Sequence, residues 1–264
     1  MHRVLVLVPF AFGEEGVANR EAAKQWVTLG PDIQFDFRPV KAGPELYDSY
    51  HDWLLADMSM YEAGITAQKE GYDAVCLDAM NDPGMSALRS ILDIPVIGPG
   101  RASYLIALML GNRFSIVTYG NPESRRLDQH YPDLYRPGLL EAGLVDRCAS
   151  IRQFDVSLDV EHLLDGREAD VYPLMVEACL QCIEDGADVI CLGSTTMHAA
   201  GPHLAEKLPV PVINPGPLTY KLAELVLGLG LTHSRIAYRK PQTPKHEMAH
   251  AMQDAAAQLQ RTGV

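Results

Sequence analysis

Thiols, tryptophan and positive charge are scarce in this chain, and long apolar runs are missing. It has 264 residues, of which five are Cys and two are Trp. Cysteines at 76, 148, 179, 182 and 191 form no disulfide framework in a chain of this size. The one CxxC, Cys179 to Cys182, falls in a helical pattern over residues 172–183 with no second ligand pair. Structural zinc is therefore not expected there, and these thiols read as core or solvent-edge groups. The 22 Lys and Arg stand against 34 Asp and Glu, a net charge of −12, which argues against nucleic acid or anionic membrane as a partner. An anionic small substrate stays open, because a local pocket of N–H groups can override the net field. No apolar run reaches the ~18 residues that would span a bilayer. The apolar residues 4–8 are too short a run for a signal peptide and lack a small-residue cleavage site. A cytoplasmic protein with a small-molecule partner is expected. Gly and Pro, at 21 and 18, are near ordinary usage and give no sign of disorder. A hydrophobic fraction of 47% suffices for one large domain or two small ones.

What the chain does have is an internal repeat. The run DVICLGSTTMH over 188–198 follows an acidic turn, Glu184 to Gly186. Residues 189–192 read as a buried strand, short and uniformly apolar. Gly193 then frees the backbone, and Ser194, Thr195 and Thr196 bring three hydroxyls to the strand's carboxyl end, where open parallel sheets bind ligands. The run DAVCLDA over 73–79 has the same construction: Cys76 answers Cys191 and Ala79 answers Ser194, each 115 residues on. IPVIGPG over 94–100 answers VPVINPG over 210–216 at a spacing of 116. The chain reads as two copies of one α/β unit facing each other.

Along the chain, strands are expected at 3–8, 33–38, 74–77 and 95–97, with helices at 18–29, 49–68, 85–92 and 101–110. A second series places strands at 113–118, 189–192 and 211–213, and a weaker one within 146–154. Its helices fall at 125–133, 169–185, 203–208 and 218–229, with a last one ending at 259. The alternation predicts an α/β fold of two doubly wound parallel-sheet domains. With equivalent strand ends facing, the active cleft is expected between them.

These motifs resemble a known family. EDGADVICLGS over 184–194, NDPG over 81–84, RFSIVT over 113–118 and GLTHS over 230–234 are similar to the hydantoin racemase branch of the aspartate/glutamate racemase superfamily. The likeness runs from the first strand to the Gly230 segment. It implies two pseudo-symmetric α/β domains with the last segment returning to the first, hence residues 1–98 plus 214–264 and residues 99–213. It also implies no cofactor and no metal. The superfamily includes amino-acid and hydantoin racemases, maleate isomerase and arylmalonate decarboxylase. Its racemases place one cysteine at the end of each equivalent strand, one thiolate removing the substrate proton and the other thiol returning it. Here those positions hold Ala79 and Ser194. Alanine does no proton chemistry, and a serine hydroxyl is a far poorer acid than a thiol, whose unperturbed pKa is about 8.5. Cys76 and Cys191 lie three residues too early, roughly 10 Å back at ~3.3 Å per residue and on the other face of the strand. The two-thiol route is closed.

Ser194 is the leading catalytic candidate, as acid, nucleophile or hydrogen-bond donor; its bland role is a strand-end cap. Thr195 and Thr196 would offer donors to a substrate carboxylate or enediolate, or cap the next helix. Thr118 and Tyr119 match the family's carboxylate-binding turn. Asp78 is a candidate base, or a cap of the following turn. His198, four residues after Ser194, could activate the hydroxyl or sit at the surface. Of Glu14 and Glu15, on the loop after the first strand, one would face the ligand, or both are solvated loop charges; Ala79 and Asn81, after the third strand, stand at the expected site, and Phe10 and Tyr47 would wall it or join the core. Asp82, before Pro83, reads as a turn residue.

The function expected first is a cofactor-independent racemase or isomerase acting at the carbon next to a carbonyl of a small carboxylate or hydantoin-type substrate. The alternatives are a decarboxylase or other carbon–carbon lyase, a hydrolase using Ser194, or a small-ligand binding protein without turnover. Fold alone does not choose among them. A homo-oligomer is expected from swapped terminal helices.

Overall fold

The computed structural model describes residues 1–45, 47, 49–120, 134–156 and 168–262; the helix expected over 125–133 lies outside them. The chain divides into two compact units, residues 1–98 with 219–264, and residues 99–218.

The first unit holds a four-stranded parallel sheet in the order β2-β1-β3-β4, from β1 (His2–Val8), β2 (Ile33–Pro39), β3 (Ala74–Leu77) and β4 (Val96–Ile97). β1 is central and apolar on both faces, as a strand covered by helices on both sides must be. Leu5, Leu7, Val75 and Leu77 pack with Met60 of α2 (Tyr50–Gly64) and Leu88 of α3 (Met85–Ile91). The alternate residues Val4, Val6 and Cys76 pack on the other face with Tyr220 and Ala223 of α8 (Pro215–Gly228). Each fully buried Leu or Val contributes about 1.5–3 kcal/mol of apolar burial.

The second unit repeats the plan, order β6-β5-β7-β8, from β5 (Phe114–Gly120), β6 (Cys148–Asp155), β7 (Val189–Leu192) and β8 (Val212–Ile213). Val117, Ile190 and Leu192 pack with Met175 and Cys179 of α6 (Glu168–Glu184) and Leu204 of α7 (Ala200–Lys207). On the other side, Tyr104 of α4 (Pro99–Leu110) stacks on Phe114 at 5.2 Å.

The repeat extends to single hydrogen bonds. Asp73 accepts from Arg3 N at 2.8 Å, and Asp188 accepts from Arg113 N at 2.9 Å, each tying the residue before β3 or β7 to the start of β1 or β5. Glu70 pairs with Arg38 of β2, and Asp185 with Arg152 of β6 at 2.7 Å. Gly71 and Gly186, at φ 83° and 97°, turn the chain into β3 and β7; a side chain there would be strained. Cys76 Sγ faces Thr219 O of α8 at 4.0 Å and Cys191 Sγ faces Ser103 O of α4 at 3.9 Å, so the helix after β4 serves β7 and the helix after β8 serves β3.

Two departures from expectation bear on the site. The helix expected at 18–29 begins earlier, as α1 (Glu14–Glu21), followed by a 3-10 turn over Ala22–Trp26. Gly13 supplies the extended residue before it, and Glu14 and Glu15 occupy its first turn, where acidic groups offset the helix dipole. Glu14 is thus an exposed helical residue rather than a loop residue. The strand expected at 113–118 runs on to Gly120 because β6 pairs with it through Thr118–Gln153, Tyr119–Phe154 and Gly120–Asp155.

Candidate active site

In the second unit the carboxyl end of β7 carries a cluster of neutral hydroxyls. Ser194 leaves the strand in extended conformation and opens a 3-10 turn over Thr195–Met197. Its Oγ accepts from Thr196 N at 3.2 Å and lies 2.7 Å from Thr196 Oγ1. Ser194 is 9% exposed and Thr195 is buried. Among the described residues both partners of Ser194 Oγ belong to Thr196, so the capping role is filled. His198 Nδ1 lies 3.2 Å from Thr195 O. A carbonyl only accepts, so Nδ1 carries a proton in this contact. Asn214, at the end of β8, donates from Nδ2 to His198 O at 2.7 Å and so ties down the far end of the turn.

Beside this turn, Thr118 is fully buried and its Oγ1 lies 2.9 Å from the phenol oxygen of Tyr135, which donates to Gly193 O at 2.7 Å. Gly193 has no room for a side chain: a Cβ would stand 2.7 Å from Thr118 Cβ and 2.9 Å from the Tyr135 hydroxyl. Burial pushes the Tyr135 phenol well above its ordinary pKa, which keeps it a proton donor. Tyr119, the next residue of β5, is half-buried and packs against the core under α6.

The corresponding end of β3 in the first unit is built differently. Asp78 is 5% exposed and pairs with Arg20 of α1 at 3.3 Å, the arginine being equally enclosed. Phe10 and Phe12 stack at 5.1 Å, Phe10 and Tyr47 at 5.1 Å, and the Arg20 guanidinium carbon lies 5.7 and 5.5 Å from the Phe10 and Phe12 rings. Cation–π attraction draws the Arg20 guanidinium to the Phe10 and Phe12 rings. The Tyr47 hydroxyl donates to Pro9 O at 2.7 Å, pinning the stacked rings to the end of β1. Ala79, nearly buried, accepts from Asp82 N at 3.0 Å in a turn where Asp82 takes φ 52°. Asn81 is half-buried and its Oδ1 is enclosed with no hydrogen-bond partner among the described residues.

Expected site residues thus gather into two groups: Ser194, Thr195, Thr196, His198 and Thr118 around β7, and Phe10, Tyr47, Asp78, Ala79 and Asn81 around β3. Glu14 stands apart on α1. Arg20, Phe12, Tyr135 and Asn214 escape the sequence reading. The pairs Arg20–Asp78 and Tyr135–Gly193 each join residues 58 apart, and no local motif marks them.

The thiols do not stand in for a missing pair. Cys76 and Cys191 are fully buried inside their strands, and burial raises both well above the ordinary thiol range. Burial likewise lifts Cys148 and Cys179 to about 12 and raises Cys182. A thiol so shifted is not a ready thiolate at neutral pH. Among the described residues, no group of three or more His, Cys, Asp or Glu is placed to hold a metal ion, and no helix is long and apolar enough to cross a membrane.

Comparison with known proteins gives this geometry a family. The hydantoin racemase of Paenarthrobacter aurescens is 30% identical over 241 residues, 90% of this chain and 97% of the relative. The hydantoin racemase of Pseudomonas sp. strain NS671 is 32% identical over 208 residues, 78% and 79% of the two chains. Among solved structures, allantoin racemase from Klebsiella pneumoniae superposes with a TM-score of 0.79 at 26% identity, covering 92% of this chain and 95% of that one. Arylmalonate decarboxylase, at 20% identity and a TM-score of 0.52, shares the fold. The pattern described as Asp/Glu/Hydantoin racemase matches residues 20–223, and with two repeated parallel-sheet units beneath that match the chain belongs to the Asp/Glu/hydantoin racemase family, as a racemase-type enzyme.

Proposed function

We propose that this enzyme racemises a hydantoin-type substrate, a small cyclic amide whose stereocentre adjoins a ring carbonyl, without cofactor and without a two-thiol relay. The names of its relatives support the substrate class: two are hydantoin racemases and one is an allantoin racemase. The observation that carries the mechanism is the pair of strand ends, Ala79 after β3 and Ser194 after β7, in a chain whose five thiols are all raised by burial.

Inverting such a centre requires removing the proton next to the carbonyl, holding the enolate, and returning a proton. Donors already oriented toward developing oxyanion charge lower the barrier without reorganisation. The Ser194–Thr196 hydroxyl pair and Thr195 supply donors for that oxygen, the Thr196 N–H being already given to Ser194 Oγ. The base in this reading is His198 through Nε2, since its Nδ1 is engaged by Thr195 O. Asp78 is the weaker candidate because it is matched to Arg20 in a buried pair.

A second reading, decarboxylation or another carbon–carbon cleavage, draws on Ala79. Such chemistry needs a single proton donor, and alanine offers none. Incubating one enantiomer of 5-benzylhydantoin, and separately of allantoin, in deuterated water separates the two. Racemisation requires deuterium at the stereocentre together with loss of optical rotation. Arylmalonate turnover with release of carbon dioxide, and no exchange into either ring, would replace the racemase reading by the lyase one.

A further inference from the structure

The Tyr135 hydroxyl has one proton, and the structure shows where it goes. It is donated to Gly193 O at 2.7 Å, a backbone carbonyl that can only accept. The contact between Tyr135 and Thr118, 2.9 Å, must therefore run the other way, with the Thr118 hydroxyl donating to the phenol oxygen. A directed chain results: Thr118 Oγ1–H to Tyr135 Oη, Tyr135 Oη–H to Gly193 C=O. All three members are buried, and Gly193 is pressed against both side chains. Its carbonyl belongs to the same peptide group as Ser194 N–H, so whatever orients one orients the other. Gly193 N is fixed on the opposite side by Val117 O at 2.7 Å.

We propose that Tyr135 is a positioning residue for Ser194, fixing the Gly193–Ser194 peptide through its carbonyl, and that Thr118 serves this chain as the donor that orients the phenol. Thr118 thereby changes role. Its only proton is spent on Tyr135, so it does not donate to a substrate carboxylate. The arrangement places the hydroxyl of Ser194 and the N–H of the same residue in one fixed frame at the end of β7, where a glycine would otherwise leave the backbone free. Hydrogen bonds in such a chain polarise one another, which strengthens the Ser194 N–H as a donor. Burial of the phenol keeps it protonated and donating across the working pH range.

The inference rests on the reading of Ser194 as a working group, and two measurements keep the two apart. The first is amide hydrogen exchange on Tyr135→Phe, which removes one oxygen and needs no substrate. Exchange over residues 193–198 should rise about tenfold while residues 189–192 stay protected. Unchanged exchange over 193–198 would overturn the proposal. The second is the kinetics of 5-benzylhydantoin racemisation. Tyr135→Phe and Thr118→Val should each lower kcat about tenfold with KM little changed, and Thr118→Ser, which keeps the donor, should restore most of it. A Tyr135→Phe enzyme with loosened exchange but full kcat, beside an inactive Ser194→Ala, would remove Tyr135 from catalysis. Ser194→Ala with full turnover would instead remove Ser194 from the mechanism, leaving the exchange result to judge the peptide-fixing role alone.

Discussion

Asp73 and Asp188 hold the start of their sheets in the same way, five residues before strand ends that have diverged. After β3 come Asp78 and Ala79, a carboxylate paired with an arginine that lies beside two aromatic rings, and a methyl group. After β7 come Gly193 and Ser194, an uncharged backbone and a hydroxyl held by a phenol and two threonines. The divergence continues one strand further. Gly98, at the end of β4, leaves space that the Asp82 carboxylate fills, 2.4 Å from where a Cβ would be. Its counterpart Asn214, at the end of β8, reaches back to His198 O, and His198 is the counterpart of Asp82 at the same spacing of 116. The frame bonds are the same in both copies, whereas the strand ends carry different side chains.

That contrast can be tested from its largest consequence to its smallest. Ser194→Ala and His198→Asn should each lower turnover by about 10²–10⁴-fold, the range for loss of a proton-handling group. Installing thiols at both tips, Ala79→Cys with Ser194→Cys, should yield exchange that iodoacetamide abolishes, whereas the wild-type rate should resist it. Inhibition of the wild type would show that one of the buried cysteines works after all.

Asp78→Ala removes the carboxylate from its buried pair with Arg20. Urea unfolding should report a loss of about 3–5 kcal/mol, the cost of breaking a buried pair from one side. Replacing Asp78 and Arg20 together by apolar residues should recover much of it. Gly193→Ala should cost less, about 1–3 kcal/mol, as Thr118 and Tyr135 are forced apart, but it should also loosen residues 193–198.

The smallest effect belongs to the frame. The Arg152 hydrogen bonds hold the Asp185 carboxyl down at about 2, and Arg38 lowers Glu70 against the cost of its partial burial. Both folded values lie below the unfolded ones, so the stabilisation is present above about pH 4 and fades as pH falls toward 2. Thermal midpoints should drop over that window, and Asp185→Asn should flatten the drop in part.

Much of the frame is legible in the residues themselves. Residues 74–77 and 189–192 are short apolar runs with a turn on either side, and their cysteines lie 115 residues apart, so the repeat needs no structure to be seen. Local pattern fails where a distant partner decides. Thr118 and Tyr119 stay in the strand because β6 pairs with them, and β6 itself gives a weak signal. Glu14 is helical because Gly13 opens a turn earlier than the apolar spacing suggests. At the site, Ser194 and its hydroxyl neighbours stand in one run and can be found by eye. Arg20 and Tyr135 cannot, because each acts on a residue 58 positions away.

Deuterium incorporation at the stereocentre of 5-benzylhydantoin, followed by NMR for wild type, Ser194→Ala and His198→Asn, tests the hydroxyl-centred mechanism most directly. Rapid exchange in the wild type and near-background exchange in both variants is the predicted result. Exchange at wild-type rates in Ser194→Ala and His198→Asn would contradict it.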